Sequence, residues 1–174
     1  MVIDMSNFDI KQIDVCDMKD FYIASAEDFD KATGVTVIAS KEGATASVDV
    51  RGGGPATRET DLLSPENMVQ AIHAVVLSGG SAYGLEASSG VMEYLASKDI
   101  GFDVGVGKVP IVCGASLFDL QIGQNSYPDK EMGYRAAYNA FEAESTCFKQ
   151  GNYGAGTGAT VGKYNGIEGM MKSG

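Results

Sequence analysis

The sequence contains a single histidine, and this scarcity excludes several kinds of catalytic and metal-binding site. A Ser-His-Asp triad would need His73 as its base, but Ser64 as an N-cap and Pro65 at the first helical position predict a helix that ends near His73. A zinc site with several histidines is impossible, and the three cysteines lack the spacing of a cysteine-only site. We therefore expect no metal, and any hydrolytic chemistry needs a base other than histidine.

Long apolar runs and targeting signals are also missing from the sequence. No stretch approaches about 18 consecutive apolar residues, so we expect no segment to span a membrane. Residues 1–4 lack the basic and apolar regions of a signal peptide. Cys16, Cys113 and Cys147 are an odd number without Cys-x-x-Cys spacing, which indicates reduced thiols. Together these features predict a cytoplasmic protein.

Basic residues are too few for a protein that binds polyanions. The chain has 13 Lys and Arg against 23 Asp and Glu, a formal net charge of −10, so nucleic acid and anionic membranes would be repelled. The acidic residues are scattered, which is typical of a solvated surface. With 174 residues, 44% of them hydrophobic, the chain is expected to form one domain over residues 1–174 with one substantial core.

The spacing of apolar residues predicts a mixed α/β protein with hairpin and crossover connections. Predicted strands cover residues 21–24, 33–39, 46–50 and 74–77, with extended stretches at 102–106 and 109–113. The second and third of these strands are expected to form a hairpin around a turn at residues 41–43. Predicted helices begin at Ser64, run from Leu85 to about Lys98, and run from Glu131 to about Glu144.

A pair of glycines marks the point where the predicted strand 74–77 gives way to a helix. Backbone N–H groups at a helix N-terminus favour a negatively charged oxygen, which here could belong to a phosphate, a substrate carboxylate or a tetrahedral oxyanion. Alternatively, the glycines only shape a tight turn, and the nearby tyrosine packs in the core. The serine of this turn stands one place too early for a Gly-x-Ser-x-Gly nucleophile elbow. The candidate residues are Gly79, Gly80, Ser81, Ala82 and Tyr83.

A glycine-rich loop at residues 51–61 carries a second group of candidates. Its charged residues Arg58, Glu59 and Asp61 could position a substrate, with a carboxylate binding the free amine of a peptide. The alternative is a loop held together by an internal Arg–carboxylate pair. Asp119 follows an apolar pair and is expected to cap or anchor a loop.

The glycine-rich stretch at residues 154–163 does not fit a nucleotide-binding motif. No strand is predicted before it, and Tyr164 stands where a P-loop needs a hydroxyl that binds Mg²⁺. Glycines at this spacing instead let the backbone turn sharply or approach another strand closely.

Six sequence blocks, in this order, resemble the DmpA-like aminopeptidases, which include L-aminopeptidase/D-esterases and relatives of β-peptidyl aminopeptidases. The resemblance runs from about Phe21 to the end of the chain, with departures at residues 24–25, at Gly54 and at Ala56. The blocks lie at residues 33–37, 51–53 with 57–63, 77–85, 109–112, 117–120 and 154–163.

The resemblance implies a self-processing hydrolase with a four-layer αββα sandwich, and it identifies the chain as the N-terminal, α-subunit part of it. The family's Ser or Thr nucleophile, freed by self-cleavage, is expected beyond the 154–163 block, as is an asparagine of the oxyanion hole. Its α-amine titrates near pH 8, so no histidine is needed. The resemblance implies a small peptide, amide or ester substrate and no cofactor.

The chain alone is expected to be inactive and to need the C-terminal (β) polypeptide of the same precursor. A homo-oligomer is also expected, and a partner polypeptide or self-association is expected to cover one exposed sheet face. The alternative is a non-catalytic or truncated homologue that binds a small anionic ligand at the Gly79–Gly80 turn.

Overall fold

The computed structural model of the chain describes residues 10–143 and 149–174. Cys147, residues 1–4 and the expected last residue of the third helix, Glu144, lie outside the described residues. The strands are β1 (Tyr22–Asp28), β2 (Thr33–Ala44), β3 (Thr57–Arg58), β4 (Ile72–Ser78), β5 (Phe102–Asp103), β6 (Lys108–Val109), β7 (Val112–Ser116), β8 (Thr160–Val161) and β9 (Met171–Lys172). The α-helices are α1 (Ala87–Ser97) and α2 (Lys130–Glu142).

The central sheet has the strand order β1-β2-β4-β7-β3. The strands β1 and β4 flank β2 as antiparallel partners, so that Val37 lies opposite Ala24 on one side and Val76 on the other. The strands β4 and β7 run parallel, which requires a crossover, and α1 lies in the connection between them. This mixture of hairpin and crossover confirms a mixed α and β architecture.

Both helices pack against one face of the sheet and against each other. Glycines permit the close approach of the helices, because a Cβ on Gly90 would overlap the carbonyl oxygen of Lys130 and one on Gly133 would overlap that of Ala87. Asp129 caps α2 by accepting a hydrogen bond from Met132 N at 2.8 Å. The core between helices and sheet is apolar and buried, and it includes Val35, Val37, Val76, Val91, Tyr94, Leu95 and Val112.

The opposite face of the sheet is only partly covered by the described residues. Ile38 and Val75, which face each other across β2 and β4, are half-buried, and Leu77 is 40% exposed. The 3₁₀ turn Gly154–Gly156 lies against β1 and β2, where Ala155 N donates to Thr36 Oγ1 at 3.2 Å. Apolar side chains of β2 and β4 therefore remain accessible beside this turn.

Two sequence-based predictions of secondary structure are wrong. The helix expected from Ser64 is absent from the described chain: Asn67 N donates to Ser64 O in a turn, Met68 is 81% exposed, and His73 lies in β4. The predicted hairpin of residues 33–39 with 46–50 does not form either. The edges of β2 are already occupied by β1 and β4, so residues 46–50 have no free edge of β2 to pair with.

The remaining predicted elements form with shifted bounds. The first α-helix is preceded by a 3₁₀ segment, Ser81–Glu86, and α2 begins one residue earlier than expected. The stretches 102–106 and 109–113 contribute the short β5 and β6 and the start of β7. Within residues 10–143 and 149–174, no helix has the length and apolar character needed to cross a bilayer.

Candidate active site

The Gly79–Gly80 turn joins β4 to the 3₁₀ segment Ser81–Glu86, and its backbone accepts few residue types. Gly80 has φ 84° and Ser81 has φ 55°, so two consecutive residues are left-handed. A Cβ on Gly79 would overlap Asp119 Oδ2 and lie 2.7 Å from Thr33 Oγ1. A Cβ on Gly80 would overlap the Cβ of Tyr127. Both glycines are therefore required by packing, and Gly80 by its φ angle as well.

Three backbone N–H groups of the turn donate hydrogen bonds within the fold. Gly79 N donates to Gly34 O at 2.9 Å, and Ser81 N donates to Leu117 O at 2.9 Å. Gly80 N donates to the buried carboxyl oxygen Asp119 Oδ1 at 2.6 Å. The sequence predicts that these donors face a bound anion, but in the structure they hold the turn in place. Among the five candidate residues, Ala82 and Tyr83 are exposed, and their role at a substrate stays a prediction.

Tyr83 lies on the surface, so the alternative that it packs in the core is wrong. Its side chain is 63% exposed and its ring stacks on the ring of Tyr127, with centroids 4.9 Å apart and planes inclined by 20°. Sequence reasoning missed Tyr127. The residue directly precedes Pro128 and the Asp129 cap of α2, but no local pattern indicates a contact with a side chain 44 positions earlier.

Asp119 is the buried anchor of the turn, consistent with the expected loop-anchoring role. It is 2% exposed, and its Oδ2 has no hydrogen-bond partner among the described residues, as is also true of Thr33 Oγ1. Burial raises the pKa of Asp119 above its ordinary value, although the hydrogen bond from Gly80 and the charge of Lys163 act in the opposite direction. The carboxyl group therefore links the turn at the end of β4 to the loop after β7.

The charged loop residues do not form the internal ion pair that was the alternative to substrate binding. Arg58 Nη1 instead donates to Ser89 Oγ at 2.7 Å, and Nη2 lies 2.9 Å from Met92 Sδ, both on α1. No ion pair of Arg58 with a carboxylate occurs in residues 10–143 and 149–174. Glu59 and Asp61 are exposed, and β3, which carries Arg58, contacts the Ser81–Glu86 segment.

The histidine and the described cysteine near the sheet are occupied by structural contacts. His73 Nδ1 accepts a hydrogen bond from Ile111 N at 3.2 Å, and burial followed by the charge of Lys108 lowers the pKa of His73. Burial, together with the Glu59 carboxylate, raises the pKa of the Cys113 thiol. Across the described ranges, no three His, Cys, Asp or Glu side chains cluster in a way that could hold a metal ion.

The glycines of residues 154–163 allow close backbone packing against the sheet. A Cβ on Gly154 would overlap Thr36 Oγ1, and one on Gly158 would overlap Ala32 O and lie 2.7 Å from Asp119 Oδ2. Gly158 thus packs directly against the acid that anchors the Gly79–Gly80 turn. This is the close approach that the sequence favoured over phosphate binding.

Comparison with known proteins places the chain in a family of hydrolases. The sequence model of peptidase family S58 matches residues 8–170, and the chain belongs to this family. It is 46% identical over 140 residues to an uncharacterized aminopeptidase of Mycobacterium leprae and 45% identical over 136 residues to one of Mycobacterium tuberculosis. It is also 34% identical over 142 residues to a 6-aminohexanoate-oligomer endohydrolase of Kocuria sp..

These alignments use most of this chain and a minor part of each relative. They cover 78%, 78% and 81% of the chain, respectively, but only 39%, 38% and 37% of the relatives. The chain therefore spans about two-fifths of the length of the curated relatives it matches. Family membership confirms the resemblance at the level of the peptidase family and supports a hydrolase.

Proposed function

We propose that this chain forms the N-terminal part of a self-processing hydrolase that removes N-terminal residues from small peptides, amides or esters. Membership of peptidase family S58 and the two aminopeptidase relatives support the reaction class. The observation that supports a site for this reaction is the exposure of Tyr83. This phenol lies on a turn whose backbone donates hydrogen bonds to Gly34, Asp119 and Leu117.

In this proposal the hydroxyl of Tyr83 donates a hydrogen bond to the substrate. A Ser or Thr hydroxyl, supplied by the part of the relatives' length that this chain does not span, gives its proton to the freed α-amine, which acts as the base. Its oxygen attacks the carbonyl carbon and forms a tetrahedral oxyanion. Tyr83 stabilises that oxyanion through this hydrogen bond, or, in the other arrangement, its oxygen accepts a hydrogen bond from the amine end of the substrate. The bond to the leaving amine or alcohol then breaks, the leaving group takes a proton from the base, and water hydrolyses the acyl-enzyme.

We further propose that the partly covered sheet face meets a second sheet, completing the αββα sandwich. Ile38 and Val75 are half-buried and Leu77 is 40% exposed on this face, and apolar side chains gain free energy when a partner removes them from water. The partner in this proposal is the C-terminal polypeptide of the same precursor, within a homo-oligomer. A binding protein for small anions is the weaker alternative, because the N–H groups of Gly79, Gly80 and Ser81 donate within the fold.

The first experiment measures the intact mass of the protein expressed from its complete gene. Two species, one near or above the 18.2 kDa of this chain and one that begins with Ser or Thr, are the expected result of self-cleavage. A single uncleaved species that still hydrolyses amides would contradict the proposed mechanism.

The second experiment tests Tyr83 in the complete protein. Removing one oxyanion donor costs on the order of 10²–10³ in kcat, so Tyr83→Phe should lower kcat by that factor without changing the urea midpoint. Tyr138→Phe is the matched control, because Tyr138 is also an exposed phenol but lies on α2. Full activity of Tyr83→Phe would remove Tyr83 from the proposed chemistry.

A further inference from the structure

Tyr127 contacts the candidate site in two ways at once. Its ring stacks on Tyr83, and its backbone lies so close to Gly80 that a Cβ on that glycine would be 2.9 Å from Tyr127 Cα. Tyr83 belongs to the 3₁₀ segment before α1, whereas Tyr127 belongs to the segment before α2. The stack therefore joins two segments of the chain that lead into different helices.

The backbone that follows Tyr127 is held by packing and by a helix cap. The next residue, Pro128, is fully buried, and Asp129 caps α2 through the hydrogen bond from Met132 N. The helix is held in turn against α1 at Gly133, where a Cβ would overlap the backbone of Ala87. Proline at this position restricts the backbone of the residue before it, which is Tyr127. The backbone at Tyr127 is thus anchored to the helices, while its ring is 42% exposed and contacts Tyr83.

Tyr83 has an exposed side chain, in contrast to the buried Pro128 next to Tyr127. It is 63% exposed, and no hydrogen bond joins its hydroxyl to another group in the part of the chain that the structure describes. An exposed tyrosine without a neighbour samples several rotamers and would deliver its hydroxyl to a fixed point only part of the time. Offset stacking at 4.9 Å and 20° selects the rotamers that lie against the partner ring.

We propose that Tyr127 is a positioning residue that holds the ring of Tyr83 and aims its hydroxyl at the reacting carbonyl group. This inference rests on the proposed function of Tyr83. The hydroxyl of Tyr127 plays no part in the stack, so Tyr127→Phe should keep the geometry. Tyr127→Ala removes the stacking partner but leaves the backbone contact with Gly80 and the buried Pro128.

The first test measures the geometry in the complete protein, independently of activity. With ¹³C-labelled tyrosine, the Tyr83 ring resonances, assigned by their loss in Tyr83→Phe, should carry a ring-current shift from Tyr127. This shift should persist in Tyr127→Phe and disappear in Tyr127→Ala. A Tyr83 shift that is the same in Tyr127→Ala as in the unsubstituted protein would overturn the stacking on which the inference depends.

The second test measures kinetics and uses Tyr83→Phe as the reference. Losing one aromatic pair is expected to lower kcat about 2- to 10-fold in Tyr127→Ala, with KM and the urea midpoint unchanged and with Tyr127→Phe at full rate. In a Tyr83→Phe background, Tyr127→Ala should lower kcat no further, because the hydroxyl that it positions is gone. A structural defect would lower activity equally in both backgrounds.

The outcomes separate this inference from the proposed function. If Tyr83→Phe is fully active, the proposed role of Tyr83 fails, and with it the role of Tyr127 in catalysis. If Tyr83→Phe loses activity but Tyr127→Ala keeps it, the proposed function stands and the positioning inference is overturned. An equal loss in Tyr127→Phe and Tyr127→Ala would also overturn it, because it would assign the effect to the Tyr127 hydroxyl.

Discussion

Replacing Asp119 tests whether a buried carboxyl group holds the candidate site in place. Asp119→Ala removes the acceptor of the 2.6 Å hydrogen bond from Gly80 N and leaves a buried N–H group without a partner. An unsatisfied buried donor costs about 1–3 kcal/mol, so the free energy of unfolding should fall by about that amount. Asp119→Asn is the matched control, since it keeps an oxygen for Gly80.

For Asp119→Asn we expect the opposite effect, a gain in the free energy of unfolding that depends on pH. Its uncharged NH₂ group would replace Oδ2, an oxygen that lacks a hydrogen-bond partner among the described residues. Because burial raises the pKa of Asp119 above 3.8, the folded state holds its proton more tightly than the unfolded state does. This contribution is complete below about pH 3.8 and is lost as pH rises through the folded pKa. Asp119→Asn should remove that loss.

Urea unfolding from pH 4 to pH 8 measures both effects. Relative to the unsubstituted chain, Asp119→Asn should gain stability as pH rises, whereas Asp119→Ala should be destabilised throughout. If Asp119→Ala unfolds at the same urea concentration as the unsubstituted chain, the reasoning about the buried Gly80 donor is refuted. A relative stability of Asp119→Asn that does not change with pH would refute the raised pKa.

Two further predictions concern single positions. Gly79→Ala should cost about 1–3 kcal/mol or more, because its Cβ would overlap Asp119 Oδ2 in a packed interior, whereas Gly53→Ala, with open space around it, should change the urea midpoint little. Equal midpoints for the two variants would show that the turn tolerates a methyl group. The unfolding free energy should also decrease as pH falls below about 6.5, because burial and Lys108 lower the pKa of His73 in the folded state while the unfolded state takes up the proton. This slope should weaken in His73→Asn, whose oxygen can accept from Ile111 N, and a slope unchanged in the variant would assign it to other groups.

Local patterns predicted the elements that bury an apolar stripe within one stretch of chain. The strands β2 and β4, the glycine turn and both α-helices follow from such patterns. The patterns failed where tertiary pairing decided the outcome. Ser64 and Pro65, which predict the start of a helix, form only a single turn. The residues that follow form β4, which pairs with β2 and β7 and buries the alternate residues Ile72, Ala74 and Val76.

The candidate site was predictable only in part, because its contacts join distant positions. The glycine pair and the tyrosine after it are visible in the sequence, but their partners are 39 and 44 positions away: Asp119 accepts from Gly80, and Tyr127 stacks on Tyr83. The expectation of free N–H donors came from helix-terminus chemistry, which assumes that no other part of the fold reaches them. Here the loop after β7 reaches two of them, through Asp119 and Leu117, and Gly34 of β2 accepts from the third.

These contacts divide the candidate site into a buried support and an exposed working surface. A serine in the left-handed backbone conformation is uncommon and costs free energy. Ser81 is held in this conformation by the hydrogen bond from its N–H group to Leu117 O and by the adjacent hydrogen bond from Gly80 N to Asp119. Immediately beyond Ser81 the chain becomes accessible, at Ala82 and Tyr83. A hydroxyl that must meet a developing charge gains most when its support does not move during the reaction. In an anion-binding loop the backbone N–H groups would face a ligand, but here those of Gly79 and Gly80 donate hydrogen bonds within the fold. We therefore expect the phenol of Tyr83, rather than this backbone, to contact substrate.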